Sequence, residues 1–190
     1  GSRGIVGIAS IVKAAVGLLK ERGARPFIAP AMGSHGGATA EGQRRLLAHY
    51  GVTEAAMGAP IRDAMDTRCI TTTDEGMPVF MAETAIESDG VLVMNRVKPH
   101  TDYKGTLESG LAKMCAIGLG KLDGARECHS HVFDRGLGAA IRDAAQAMLA
   151  SGKIVGGLAI LENAYHETAR IAGVPLEGFL EAEARLLEDA

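Results

Sequence analysis

The sequence has no tryptophan, and phenylalanine and tyrosine bring its aromatic content to only 4%. Such a chain has little with which to build a surface that stacks nucleic-acid bases. Its 23 acidic residues outnumber its 20 lysines and arginines for a net charge of -3, and the basic residues are scattered, not clustered, so it lacks the basic footprint of a nucleic-acid binder. Cysteine is scarce too: Cys69, Cys115 and Cys128 form an odd set without a CxxC pair. That pattern speaks against a disulfide framework and for a reducing, cytoplasmic setting. No apolar run approaches the roughly 18 residues that a membrane helix needs, and no signal-peptide pattern is visible.

What remains is an ordinary globular composition, 47% hydrophobic and 23% charged, on 190 residues, enough for one well-filled core. The chain starts without Met and stops on "EAEARLLEDA", a helical pattern with no capping signal after it. Both ends look cut, so residues 1–190 are expected to be a single α/β domain that is one piece of a longer protein.

Apolar residues at Ile11, Val12, Ala15, Val16 and Leu19 mark one face of a helix over Ser10 to Arg22, with Gly23 as its stop. "RPFIAP" reads as a short buried strand, followed by the glycine-rich turn "AMGSHGGA". Thr39 can cap a helix through Tyr50, with Glu41 in its first turn. "TRCITT" and "MPVFMA" read as two strands around the turn "DEG". "GVLVMN" is a continuous apolar run of the kind found where a sheet is covered on both faces. Helices are expected over Leu107 to Ala116, Gly136 to Ala150 and Leu176 to Glu188, with "KIVGGLAILE" as another buried strand. Strands alternating with helices predict a layered α/β domain, a largely parallel sheet flanked by helices in a Rossmann-like manner. In such folds ligands bind beyond the carboxyl ends of the strands.

The loops after those strands hold the polar chemistry. His35 lies between Ser34 and two glycines just ahead of a helix, where backbone N–H groups can approach a carboxylate or phosphate. His100 follows Pro99, which stiffens the backbone leading out of the "VLVMN" strand. "CHSH" places Cys128, His129 and His131 together, and in a strand the two histidines could chelate a metal from one face. For each histidine the bland alternative is a loop or surface residue without a role. "GLGK" is not a phosphate loop, because Cys115 and Leu122 stand where glycine and Ser or Thr are required. Ser34, in "GSHGG", is not in a nucleophile elbow.

Taken together, "PAMGSHGGATAEGQ", "RVKPHTDYKGTLESGLAKM" and "GARECHSHVFDRG" resemble the amino-terminal domain of the nickel-dependent lactate racemase family. The resemblance covers most of the chain. It implies a racemase or epimerase of 2-hydroxy acids working by hydride transfer to a nickel-pincer nucleotide, a nickel complex of pyridinium-3,5-bisthiocarboxylic acid mononucleotide. It further implies Lys113 as the covalent anchor of that cofactor, His129 as a nickel ligand with His131 as the fallback, and His35 and His100 as the two acid/base groups. Arg3 falls on the arginine near the substrate, where a guanidinium grips a carboxylate by paired hydrogen bonds. A carboxyl-terminal domain of the same protein would add further substrate contacts. The chemistry is coherent. The α C–H of a 2-hydroxy acid is poorly acidic, whereas loss of hydride gives a stable 2-oxo acid, a step suited to an electrophilic cofactor. The hydroxyl proton must leave at the same time, which suits a neutral imidazole on either face.

The chain also departs from the lactate racemase pattern. The stretch from His100 to Lys113 is longer and carries Glu108 where that pattern is small and glycine-rich, so Lys104 competes with Lys113 as the anchor. Two other readings compete: a non-catalytic domain of the same fold binding a small anion or nucleotide near His35, and a metal hydrolase built on His129 and His131.

Overall fold

The structure, a computed structural model, describes residues 4–101, 103–131 and 136–190. Arg3, assigned to the substrate by resemblance, lies outside the described residues.

The expected first helix forms as α1, Ile8–Glu21, with Ile8 and Val16 buried. α2, Ala40–His49, starts where Thr39 Oγ1 accepts the N–H of Gly42 at 3.0 Å, as an N-cap residue should. A single turn, α3 (Glu54–Met57), follows. β1 (Thr67–Thr72) and β2 (Pro78–Ala82) form an antiparallel pair, and α4 (Glu83–Ile86) leads into β3 (Val91–Arg96). Next come α5 (Leu111–Lys113), a π-helical segment (Met114–Leu119) and α6 (Lys121–Ser130). The chain ends with α7 (Leu137–Ala150), the hairpin β4 (Ile154–Glu162) and β5 (Thr168–Pro175), and α8 (Phe179–Glu188).

The domain is mixed α/β, but its sheets differ from the expected largely parallel one. Among the described residues, β1–β2 stands alone as an antiparallel pair, and β3–β4–β5 is a mixed sheet in which β3 and β4 run parallel while β5 returns antiparallel. "RPFIAP" shrinks to one parallel bridge between Ile28 and Ile61, made by Ile28 N–H to Pro60 O and Arg62 N–H to Ile28 O, both 2.8 Å. Pro26 and Pro30 have no N–H to extend that ladder. The expected helix from Leu107 begins instead at Leu111, because Ser109 bridges Lys98 in antiparallel fashion and so stays outside the helix.

The three-stranded sheet is covered on both faces, as the apolar run in β3 implied. Val93, Ala159 and Leu161 point into the larger core with Leu111, Met148 and Phe179. Met94 and Ile160, one residue out of phase, join a second cluster with Ile5, Ile8, Leu47 and Val52 under α1 and α2. No helix among the described residues is long and apolar enough to cross a membrane.

Candidate functional site

Two of the residues singled out by sequence meet directly: Lys113 Nζ lies 2.7 Å from His100 Nε2. With lysine as the ammonium, Nζ donates and the imidazole nitrogen accepts. Both side chains are half-buried.

His100 is held by its backbone and by its ring. The buried Glu108 carboxylate accepts the N–H of His100 at 2.5 Å and that of Gly105 at 3.1 Å, closing the loop between them. Those two N–H groups, the His100 one foremost, keep the Glu108 carboxyl below the usual range despite its burial, and Lys104 at 3.6 Å adds to the effect. Tyr103 stacks on the imidazole with ring centroids 4.3 Å apart and planes tilted by 30°. Its hydroxyl donates to the Glu108 carbonyl at 2.8 Å, and burial pushes its own ionisation upward. Lys104 thus packs against this loop, its Nζ donating to the His100 carbonyl at 3.3 Å, while Lys113 faces the imidazole.

Lys113 ends α5, which runs straight into the π-helical segment. α5 is thus the first turn of a longer helical run, and the leading N–H groups of such a run lack intrahelical partners. Glu183, on α8 and only 1% exposed, accepts the Ala112 N–H at 2.7 Å and also that of Leu111. Burial raises its carboxyl to about 7 against those two hydrogen bonds. Asn95 adds a bond from its side-chain amide to the Gly110 carbonyl at 2.9 Å. A pair of buried carboxylates therefore holds the two partners by main-chain N–H groups, Glu108 for His100 and Glu183 for the Lys113 turn. The π-helical segment follows Lys113 directly, a geometry often found at functional sites.

His35 is exposed on the glycine-rich loop before α2. Its Nδ1 lies 2.7 Å from the Met32 carbonyl, which can only accept, so Nδ1 carries the proton and Nε2 is the basic nitrogen of the neutral ring. The buried Gln43 amide donates to the carbonyls of Gly33 (2.9 Å) and His35 (3.3 Å) and so fixes the loop on α2. The loop also packs on the segment after Lys113. A Cβ on Gly33 would come within 2.9 Å of the Ile117 side chain, and one on Gly118 within 2.8 Å of the Ala31 carbonyl. Lys121, fully buried with a left-handed φ of 54°, donates from Nζ to the Pro30 carbonyl at 2.7 Å. Burial lowers its amine to about 8, with nearby Asp63 opposing.

Loop and helix touch most closely at Gly42, where a Cβ would stand 1.9 Å from the Gly36 carbonyl oxygen. Gly→Ala inside a helix ordinarily stabilises by about 1 kcal/mol. Here backbone meets backbone, so Gly42→Ala is expected to destabilise by about 3 kcal/mol. A thermal unfolding midpoint equal to or above that of the parent would contradict this.

"CHSH" does not lie in a strand. Cys128, His129 and Ser130 end α6 and His131 caps it, so the two histidines, two residues apart on a helix, diverge instead of sharing a face. His129 is exposed, and Cys128 is buried with its thiol pushed up to about 12 by that burial. Among the described residues no group of three or more His, Cys, Asp or Glu side chains could hold a metal ion. The three cysteines are free.

A separate cleft of about 570 Å³ opens beyond the carboxyl ends of β3 and β4, lined by residues 4–9 with Tyr50, Arg96, Glu162 and His166. None of His35, His100, Lys113 and His129 lines it. Arg96 spends its charge there on Glu162, at 2.6 Å.

Sequence reasoning overlooked Glu183 and treated Glu108 only as a departure from a pattern. Glu183 did leave a signal: with Phe179 and Leu186 it occupies the buried face of α8, where a charged residue is out of place.

Residues 5–176 match the family described as "Domain of unknown function (DUF362)". None of the curated protein sequences matches the chain. Among solved structures, the lactate racemase apoprotein from Thermoanaerobacterium thermosaccharolyticum aligns with a TM-score of 0.58 at 13% identity, over 75% of this chain and 36% of that one. At such low identity the likeness is one of fold alone. The chain spans little more than a third of the racemase's length.

Proposed function

The chain belongs to the DUF362 family, and from that premise we propose that it is the amino-terminal catalytic part of a nickel-pincer racemase or epimerase of 2-hydroxy acids. The observation that carries the proposal is the 2.7 Å contact between Lys113 and His100, the residues to which this reading gives the cofactor anchor and one acid/base role. A fold shared with a lactate racemase supports it.

A covalently carried cofactor suits these residues. Lys113 offers a half-buried amine on a braced turn, as an anchor should. With no ready-made cluster of metal-ligating side chains among the described residues, a nickel ion would draw most of its ligands from the cofactor and one imidazole, His129, from the protein. The cofactor supplies the electrophile that accepts hydride from the substrate. The chain's own work is to hold it through Lys113 and to move the hydroxyl proton. His35, with Nε2 as its basic nitrogen, serves one face of the substrate and His100 the other, help worth about 10²–10⁴-fold in rate. Arg3 grips the substrate carboxylate, and a carboxyl-terminal domain completes the pocket.

The test is co-expression of the full-length protein with the enzymes that make the cofactor, followed by metal analysis, intact mass and chiral chromatography of a panel of 2-hydroxy acids. About one nickel per chain and a mass increase are expected. His35→Ala should retain both while losing at least about 10²-fold in racemisation rate. A bare mass with no nickel would sink the proposal and leave the non-catalytic anion- or nucleotide-binding reading.

A further inference from the structure

We propose that Lys121 is a positioning residue: by donating to the Pro30 carbonyl, its Nζ ties the loop that presents His35 to the helical run that carries Lys113, and so aims the His35 imidazole. The inference rests on the racemase reading for what His35 does, and on geometry alone for how His35 is held.

Lys121 is unfavourable twice over at its position. Its φ of 54° lies in the left-handed region, which glycine adopts freely and a residue with a Cβ adopts at a cost. It is also fully buried, where a lysine loses the freedom of its long stem and its amine loses water. A glycine would remove the first cost and a methionine would remove the loss of hydration. Neither could donate to Pro30. A backbone outlier of this kind points to the bond that its side chain makes.

That bond reaches His35 through a short, pinned stretch of loop. Lys121 holds Pro30 at 2.7 Å. Ala31 and Gly33 lie against the same helical segment, since a Cβ on Gly118 would stand 2.8 Å from the Ala31 carbonyl oxygen and one on Gly33 2.9 Å from the Ile117 side chain. Met32, buried between them, has little freedom to turn its carbonyl. That carbonyl accepts the His35 N–H at 3.0 Å and faces Nδ1 at 2.7 Å. Its direction therefore sets both the backbone and the ring of His35.

On the other side, the segment Met114–Leu119 continues directly from Lys113, and Lys121 opens α6 just beyond it. His35 and Lys113 thus belong to one framework, and the Lys121 bond is its joint. Packing of Gly33 and Gly118 brings the two parts close but is not directional, whereas a hydrogen bond fixes their alignment. Lysine carries N–H groups both as ammonium and as amine, so the joint holds through the titration of Lys121.

The test is Lys121→Met, which fills a similar volume without a donor. In the apo-protein, nitrogen NMR of the histidine rings reads the tautomer of His35 at a pH where the ring is neutral. The parent should hold the proton on Nδ1, whereas an imidazole released from the Met32 carbonyl favours Nε2. Lys121→Met should make the Nε2–H form the major one at His35 and leave His49 unchanged. In protein co-expressed with the cofactor enzymes, the variant should keep nickel and the mass increase while kcat falls at least about 10-fold, since a displacement of about 1 Å can cost about 10²-fold. In a His35→Ala background the same substitution should change the rate by no more than about 2-fold, because the group it aims is gone. A lysine that served stability alone would lower both rates alike.

An Nδ1–H tautomer retained at His35 in Lys121→Met, or equal losses of rate in the two backgrounds, overturns the proposal. Should Lys121→Met fail to fold, Lys121→Gly, which suits the left-handed backbone, takes its place in both measurements. A retained tautomer in nickel-bearing protein leaves the racemase reading standing. Absence of nickel sinks that reading and leaves the tautomer to decide how His35 is held.

Discussion

Replacing Lys113 by arginine is expected to abolish covalent retention of the cofactor while leaving the fold intact. Arginine keeps the long stem and the positive charge, so it can still donate to His100 Nε2 where Lys113 now does. It cannot become a nucleophile, because a guanidinium stays protonated throughout the accessible pH range. Protein co-expressed with the cofactor enzymes should show its bare mass and no nickel, and racemisation should fall below detection. The change in stability should stay within about 1 kcal/mol, since the side chain is only half-buried. Lys104→Arg, on an exposed side chain four residues from the buried Glu108, should keep the adduct. An adduct that survives Lys113→Arg and vanishes in Lys104→Arg would move the anchor to Lys104.

The second large effect concerns Glu183 and acidity. Burial raises its carboxyl from 4.5 to about 7 in the folded protein, so between those values the folded chain binds a proton that the unfolded chain has released. Its contribution to stability is therefore fully present below about pH 4.5 and is lost as pH rises through about 7. Converted at about 1.4 kcal/mol per unit, the loss is on the order of 3 kcal/mol. Asp63 and Glu108, both held below their usual ranges, work in the opposite sense at low pH, so the comparison must be made against a matched variant. Glu183→Gln keeps an oxygen to accept the Ala112 N–H but has nothing to titrate. Urea unfolding at pH 5 and pH 8 should show the parent weakening relative to this variant as pH rises. Parallel behaviour at both values would show that Glu183 titrates normally.

What the sequence revealed and what it hid follow a physical division. α1 and β3 were legible because their patterns are local: a 3.6-residue apolar stripe ending at Gly23, and an apolar run of strand length. β5 was not legible, since "TARIAGVP" is small, mostly exposed and without alternation. Nor was the start of α5, which depends on a carboxylate 71 residues away. Within the site, His35 and His100 stood out as loop histidines beside glycine or proline, whereas Lys113 was singled out by the family resemblance alone, with Lys104 as its rival. The contact between His100 and Lys113 could not be read from spacing. It depends on Leu107 to Gly110 staying outside the helix, although the sequence reads the same residues as its start. The strand assumed for paired chelation by His129 and His131 was missed for a similar reason, because α6 turns a strand's shared face into two directions.

The bond from Glu183 to α5 has a consequence for the order in which the protein opens. Segments that lend each other their hydrogen-bond partners tend to exchange their amides together. If α8 detaches, the Leu111 and Ala112 amides lose their acceptor, and as leading N–H groups of a helical run they have no carbonyl one turn back to replace it. Opening of the last helix and melting of the lysine-bearing turn should thus be one event, with matched hydrogen-exchange protection in segments far apart in the chain.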